Sequence, residues 1–140
     1  MSPSISAQRA FQLAREGCYK QAQQIFTDLK FEPENPVETS FVALTDAVTK
    51  QNYKSATEKC LKALDEWPKN PEIYYNLTQI LLFAGRKDLA IIKLLKGLTL
   101  NPEHHGLRIL HKRLGIRRSP VIQSLPRTNP INVIAGKILR

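Results

Sequence analysis

A chain of 140 residues that is 42% hydrophobic and 24% charged has room for one domain and suits a soluble globular chain. Its formal net charge is +9, but residues 1–103 hold 13 Lys and Arg against 12 Asp and Glu, whereas residues 104–140 hold 8 Lys and Arg and no acid. A nearly neutral body with a basic end points to an anionic partner such as nucleic acid, an acidic protein face or a membrane surface.

In chain order, Ala7, Ala10, Phe11 and Ala14 recur at helical spacing and predict a helix from about Ser4 to Arg15. Glu16-Gly17 makes a turn, and Ala22, Ile25, Phe26 and Leu29 predict a second helix from Tyr19 to about Lys30. Asn35-Pro36-Val37-Glu38 then reads as a helix start: a capping Asn, a Pro at the first helical position and a Glu three residues after the cap. Helices are expected from Pro36 to Lys50 and from Tyr53 to Glu66. Asn70-Pro71-Glu72 opens the next pair, Pro71 to Ala84 and Lys87 to Leu100. Asn101-Pro102-Glu103 is expected to open a seventh helix, with Leu107, Ile109, Leu110 and Leu114 on its apolar side and Gly115 as its C-cap. Beyond it, Pro120, Pro126 and Pro130 rule out a continuous helix, although Asn129-Pro130 predicts a short one from Pro130 to Leu139.

Three of these segments superimpose without gaps at a spacing of 34 residues. Gly17 falls on Gln51 and Gly85, Ala22 on Ala56 and Ala90, Phe26 on Cys60 and Leu94, Leu29 on Ala63 and Gly97, and Pro68 on Pro102. A fixed period of this size marks a stacked helical repeat. These residues resemble the tetratricopeptide repeat (TPR) family over about residues 4–114, through the small residue at the helix crossing, the mid-repeat turn glycine, Tyr19 and Tyr53 after the turn, and the closing proline. Leu44, Thr78, Gln51 and Pro33 depart from the family pattern.

The resemblance implies an all-α fold: a right-handed superhelix of three TPR-type helix pairs plus a capping helix. The domain is expected to span 4–114, with repeats at about 4–34, 36–68 and 71–102 and the capping helix at 103–114. A basic, Pro-containing C-terminal extension, 115–140, ends in the short helix.

The resemblance also implies a concave groove lined by the first helix of each pair, here at Phe11, Phe41, Thr45, Tyr75, Asn76, Gln79 and Phe83. Such an apolar groove suits an apolar or amphipathic segment of a partner protein, or the chain's own C-terminal tail, and makes the expected function that of a non-catalytic adaptor or scaffold. The carboxylate clamp of heat-shock co-chaperones in the family is not expected. Its positions are Ala7, Phe11, Val42, Glu72 and Asn76, which offer no cation for an anion to meet. A secretion-type chaperone is a further alternative, weakened by the lack of an acidic character.

A second candidate site is the basic patch of Arg108, Lys112, Arg113, Arg117, Arg118, Arg127, Lys137 and Arg140, which could dock electrostatically on an acidic protein or nucleic acid. Residues 104–140 contain no aromatic for base stacking, which disfavours nucleic acid. His104, His105 and His111 have no Cys, Asp or Glu after them to complete a metal set, and are expected to be solvent-exposed. No nucleophile, paired acids or phosphate loop is present, so neither an enzyme nor a cofactor is expected.

Cys18 and Cys60 form no disulfide framework and are expected to be reduced packing residues. With no signal peptide at Met1-Ser2-Pro3-Ser4, this favours a cytoplasmic protein. The longest apolar runs, such as Ile80-Leu81-Leu82-Phe83-Ala84, are too short to span a bilayer.

Overall fold

The computed structural model describes residues 4–115, which form seven α-helices and no strand. They are α1 (Ile5–Arg15), α2 (Tyr19–Asp28), α3 (Pro36–Lys50), α4 (Tyr53–Glu66), α5 (Pro71–Phe83), α6 (Lys87–Leu100) and α7 (His105–Leu114). Helices pair in chain order, α1 with α2, α3 with α4 and α5 with α6, and α7 rests on α6. Between pairs, α2 meets α3 and α4 meets α5, while α1 lies against α3 and α3 against α5. Among the described residues no helix is long and apolar enough to cross a membrane.

The helix starts follow from side chains that accept otherwise unpaired backbone N–H groups. Ser4 Oγ accepts from the Ala7 N–H at 3.1 Å, Asn35 Oδ1 from Glu38 at 2.9 Å, and Asn70 Oδ1 from Glu72 at 2.9 Å. Each such cap is worth about 1 kcal/mol. Pro36 and Pro71 fill first-turn positions whose N–H would be unbonded in any case. At the other end, α1 and α5 stop where Gly17 (φ 86°) and Gly85 (φ 77°) turn left-handed, which lets the Cys18 and Arg86 N–H groups reach back to the Leu13 and Leu81 carbonyls at 2.8 Å. Gln51 adopts the same left-handed turn (φ 59°) after α3, with a side chain that disfavours it.

The helices pack through the small residues at their crossings. Ala22, Ala56 and Ala90 are all buried. Phe11, Phe26 and Phe41, with Phe31 against them, form the core of the first pair. A central cluster joins Leu44, Cys60, Ile73, Leu77 and Ile80, and Leu94, Leu107 and Leu110 hold α7 in place. Gly97 is required here: a Cβ on it would lie 2.8 Å from Leu107 Cδ1 and 3.0 Å from Tyr74 Cβ.

Two helix boundaries differ from the sequence reading by two residues or more. The seventh helix does not open at Asn101-Pro102-Glu103. The Asn101 N–H still bonds the Gly97 carbonyl at 3.0 Å and so completes α6, and its side chain accepts from Glu103 in a tight turn. His104 then caps α7. At Asn35 and Asn70 the preceding helix has already ended, which frees the asparagine to start a new one. The second helix stops at Asp28, before Lys30. Lys30 turns left-handed (φ 49°), the Phe31 N–H bonds the Phe26 carbonyl at 2.9 Å, and the Phe31 ring covers Phe26 at 5.0 Å. Phe31 therefore takes the core place that the helical spacing gave to Leu29, which is 42% exposed. The expected helix from Pro130 to Leu139 and the extension beyond Gly115 lie outside the described residues.

Candidate functional site

A cleft of about 680 Å³ opens between the C-terminal end of α1, the start of α2 and one face each of α5 and α7. Helical periodicity selects its walls. Glu72, Tyr75, Gln79 and Phe83 share one stripe of α5, and Gly106, Ile109, Leu110 and Arg113 share one stripe of α7. Gln12, Arg15, Glu16 and Gly17 end the α1 wall, and Tyr19 enters from α2.

A charged network joins three of these elements. Arg15 Nε donates to Glu72 Oε1 at 3.2 Å, and His104 Nε2 lies 2.7 Å from Glu72 Oε2. His104 Nδ1 accepts from the Leu107 N–H at 3.1 Å, so the ring carries its proton on Nε2 and donates it to Glu72. Burial pushes the Glu72 carboxyl up, but the hydrogen bond from His104 and the charge of Arg15 outweigh it and hold the group below its ordinary value. Glu72 is thus a satisfied anion, with both oxygens engaged.

The rest of the lining is aromatic and apolar. The Tyr75 ring lies 5.6 Å from the His104 ring and flat enough against α7 that a Cβ on Gly106 would stand 2.6 Å from its Cε1. Gln79 Nε2 donates to the Tyr75 hydroxyl at 3.1 Å. Tyr19 meets Phe83 edge-on at 5.5 Å. Burial, with Tyr75 adding to it, pushes the Tyr19 phenol up to about 12 against an opposing pull from Arg113. Phe83 is 45% exposed and Ile109 43% exposed, a large apolar area to leave facing solvent in one depression.

Of the residues expected in a groove, Tyr75, Gln79 and Phe83 are in the lining of this cleft. Phe11, Phe41, Thr45 and Asn76 are not: all four are buried. The Phe11 ring turns inward against Phe26 and Phe41 at 5.5 and 5.3 Å, and Phe41 is roofed by the Arg15 guanidinium 4.8 Å from its centroid. Thr45 Oγ1 donates to the Val42 carbonyl at 2.9 Å. Asn76 Nδ2 donates to Ser40 Oγ at 2.8 Å, while its Oδ1 has no partner among the described residues. The close approach of α1, α3 and α5 fills the groove at these depths.

No family model, curated protein or solved structure matches the chain.

Of the basic candidates, Arg113 lines the cleft, Lys112 is exposed, and Arg108 pairs with exposed Glu103 at 3.4 Å. Arg117, Arg118, Arg127, Lys137 and Arg140 lie outside the described residues. His104 is not the solvent-exposed residue expected, because it caps α7 and ties that helix to α5. His105 is exposed at the cleft edge. Most of the cleft lining was absent from the expected groove, including Arg15, Tyr19, Glu72, His104 and Ile109. Arg15 stands in the same 34-residue register as Phe83, so the spacing that selected Phe83 also selects it. In this arrangement the carboxylate is paired and both nitrogens of the half-buried imidazole are engaged.

Proposed function

We propose that the chain is a small adaptor of the tetratricopeptide repeat type that receives an apolar or amphipathic segment of a partner protein in the cleft between α1, α5 and α7. In this reading three helix pairs coil as a right-handed superhelix and α7 caps it. The 34-residue register supports the reading, as do its buried alanines Ala22, Ala56 and Ala90 at successive crossings. The observation that carries the function is the cleft itself, where Phe83 and Ile109 stay about half exposed beside Tyr19 and Tyr75. Such anchors gain from a partner's side chain about 25 cal/mol for each Å² of apolar surface they bury.

The test replaces Phe83 with the photo-crosslinking analogue p-benzoylphenylalanine and irradiates intact cells. Discrete adducts with one protein are expected from this position, and none from exposed Glu58 on α4. The double variant Phe83→Glu plus Ile109→Glu should keep its helical circular dichroism and lose that protein. A pattern identical at positions 83 and 58 would reject the cleft as the binding surface.

Electrostatic docking through the basic C-terminal region is a second reading, favoured by the absence of any acid in residues 104–140. It differs in salt dependence: binding through several cations collapses between low and moderate salt, whereas binding through the apolar cleft changes little.

A further inference from the structure

The cleft is apolar at its centre but not electrically even at its edges. Glu72, the most enclosed of its charges, is balanced by Arg15 and accepts a hydrogen bond from His104, so none of these three is left to select a ligand. Glu16 keeps its negative charge, since its 3.1 Å partner is the neutral Gln12 amide, but it belongs to the α1 wall rather than to α7. Arg113, on the α7 wall beside Tyr19, has no ion pair among the described residues. A cation in the last turn of a helix does complement the helix dipole, but Lys112 in the same turn serves that purpose without lining the cleft. Arg113 is therefore a free guanidinium directly beside an aromatic anchor site.

The rest of the helix reinforces that charge. α7 carries Arg108, Lys112 and Arg113 and no acid. Charge also argues against the chain's own tail as occupant. Residues 116–140 contain Arg117, Arg118, Arg127, Lys137 and Arg140 without one carboxylate side chain, and bringing them to Arg113 would set like charges together.

Resting on the reading of the cleft as a segment-binding site, we infer that its occupant belongs to another protein and carries an Asp or Glu next to a large apolar residue. The apolar residue enters between Tyr19, Tyr75, Phe83 and Ile109, and the carboxylate meets Arg113. Guanidinium and carboxylate form a charge-assisted, geometrically selective pair, so Arg113 sets which apolar segments are accepted.

The experiment is a selection from a displayed library of random dodecapeptides on the full chain, followed by fluorescence anisotropy with the enriched peptide. Enriched sequences are expected to place Asp or Glu within a few residues of an aromatic or branched apolar residue. Arg113→Ala should weaken the leading peptide roughly tenfold. Arg113→Glu, at an exposed helix position, should fold normally and enrich Lys or Arg in the same place. A synthetic peptide of residues 116–140 should not displace the selected peptide. Enriched peptides with no acidic preference, or with unchanged affinity for the Arg113 variants, overturn this inference while leaving the cleft reading intact if Phe83→Glu abolishes their binding. Displacement by the 116–140 peptide overturns it in favour of the tail. Selected peptides indifferent to Phe83→Glu, or no enrichment at all, would sink the cleft reading itself.

Discussion

The first helix pair and the third place the same repeat positions in opposite environments. Phe11, Thr45 and Gln79 stand 34 residues apart in one register, and Ala7, Phe41 and Tyr75 in another. The members from the first two pairs are buried, whereas Gln79 and Tyr75 line the cleft. Phenylalanine is the cause at one end: Phe11, Phe26, Phe31 and Phe41 satisfy one another, and Arg15 closes over them on its way to Glu72. At the other end Tyr75 and Gln79 spend their polar atoms on each other, and α7 stands off enough to leave a gap. The register selects which side chains correspond. What stands opposite decides whether that position becomes core or cleft wall.

The widest test of this contrast compares Phe41→Ala with Phe83→Ala by urea unfolding. Phe41 is 1% exposed, and its loss should cost about 3–5 kcal/mol. Loss of the half-exposed Phe83 should cost less than about 1 kcal/mol. Equal costs would erase the distinction between core and cleft.

Arg15 is the boundary between the two environments, so removing it should blur them by a smaller amount. Arg15→Ala uncovers Phe41 and leaves Glu72 to His104 alone, an expected loss of about 1–2 kcal/mol. The same network predicts a pH dependence. The Glu72 carboxyl is held below its unfolded value of 4.5, so its contribution is complete above that pH and is lost as the pH falls through the lower folded value. Glu72→Gln should therefore be less stable than the wild type at neutral pH and converge on it under acid. A constant gap across the titration would show that Glu72 acts through packing rather than charge.

The smallest effect concerns the middle pair. Gln51 takes at φ 59° the turn that Gly17 and Gly85 make before and after it. Gln51→Gly should stabilise the chain by about 0.5–1 kcal/mol in thermal or urea unfolding, because relief of the left-handed strain exceeds the added freedom of the unfolded chain.

Helix existence and order were legible because caps and periodicity are local. Asn35-Pro36 and Asn70-Pro71 start helices as their chemistry requires. Asn101-Pro102 has the same chemistry but not the same history, since α6 is still running when it arrives. Leu29 was misplaced for a related reason: its helical spacing is correct, but Phe31 competes for the same core space from a reversed chain. The cleft was half legible. The register gave Tyr75, Gln79 and Phe83, whereas the Arg15–Glu72–His104 network joins residues far apart in sequence that no local pattern connects. His104 in particular reads as a surface histidine until α5 is set beside it.

Cys60 sits in the central cluster, fully enclosed, and burial pushes its thiol up to about 12. An enclosed, protonated thiol cannot attack an alkylating reagent, so each modification of Cys60 requires the helices around it to part. Cys18, half-buried in the turn before α2, labels without that event. The chain thus contains a native clock and its own reference. The ratio of the two alkylation rates reports how often the central helices part, without any engineered probe.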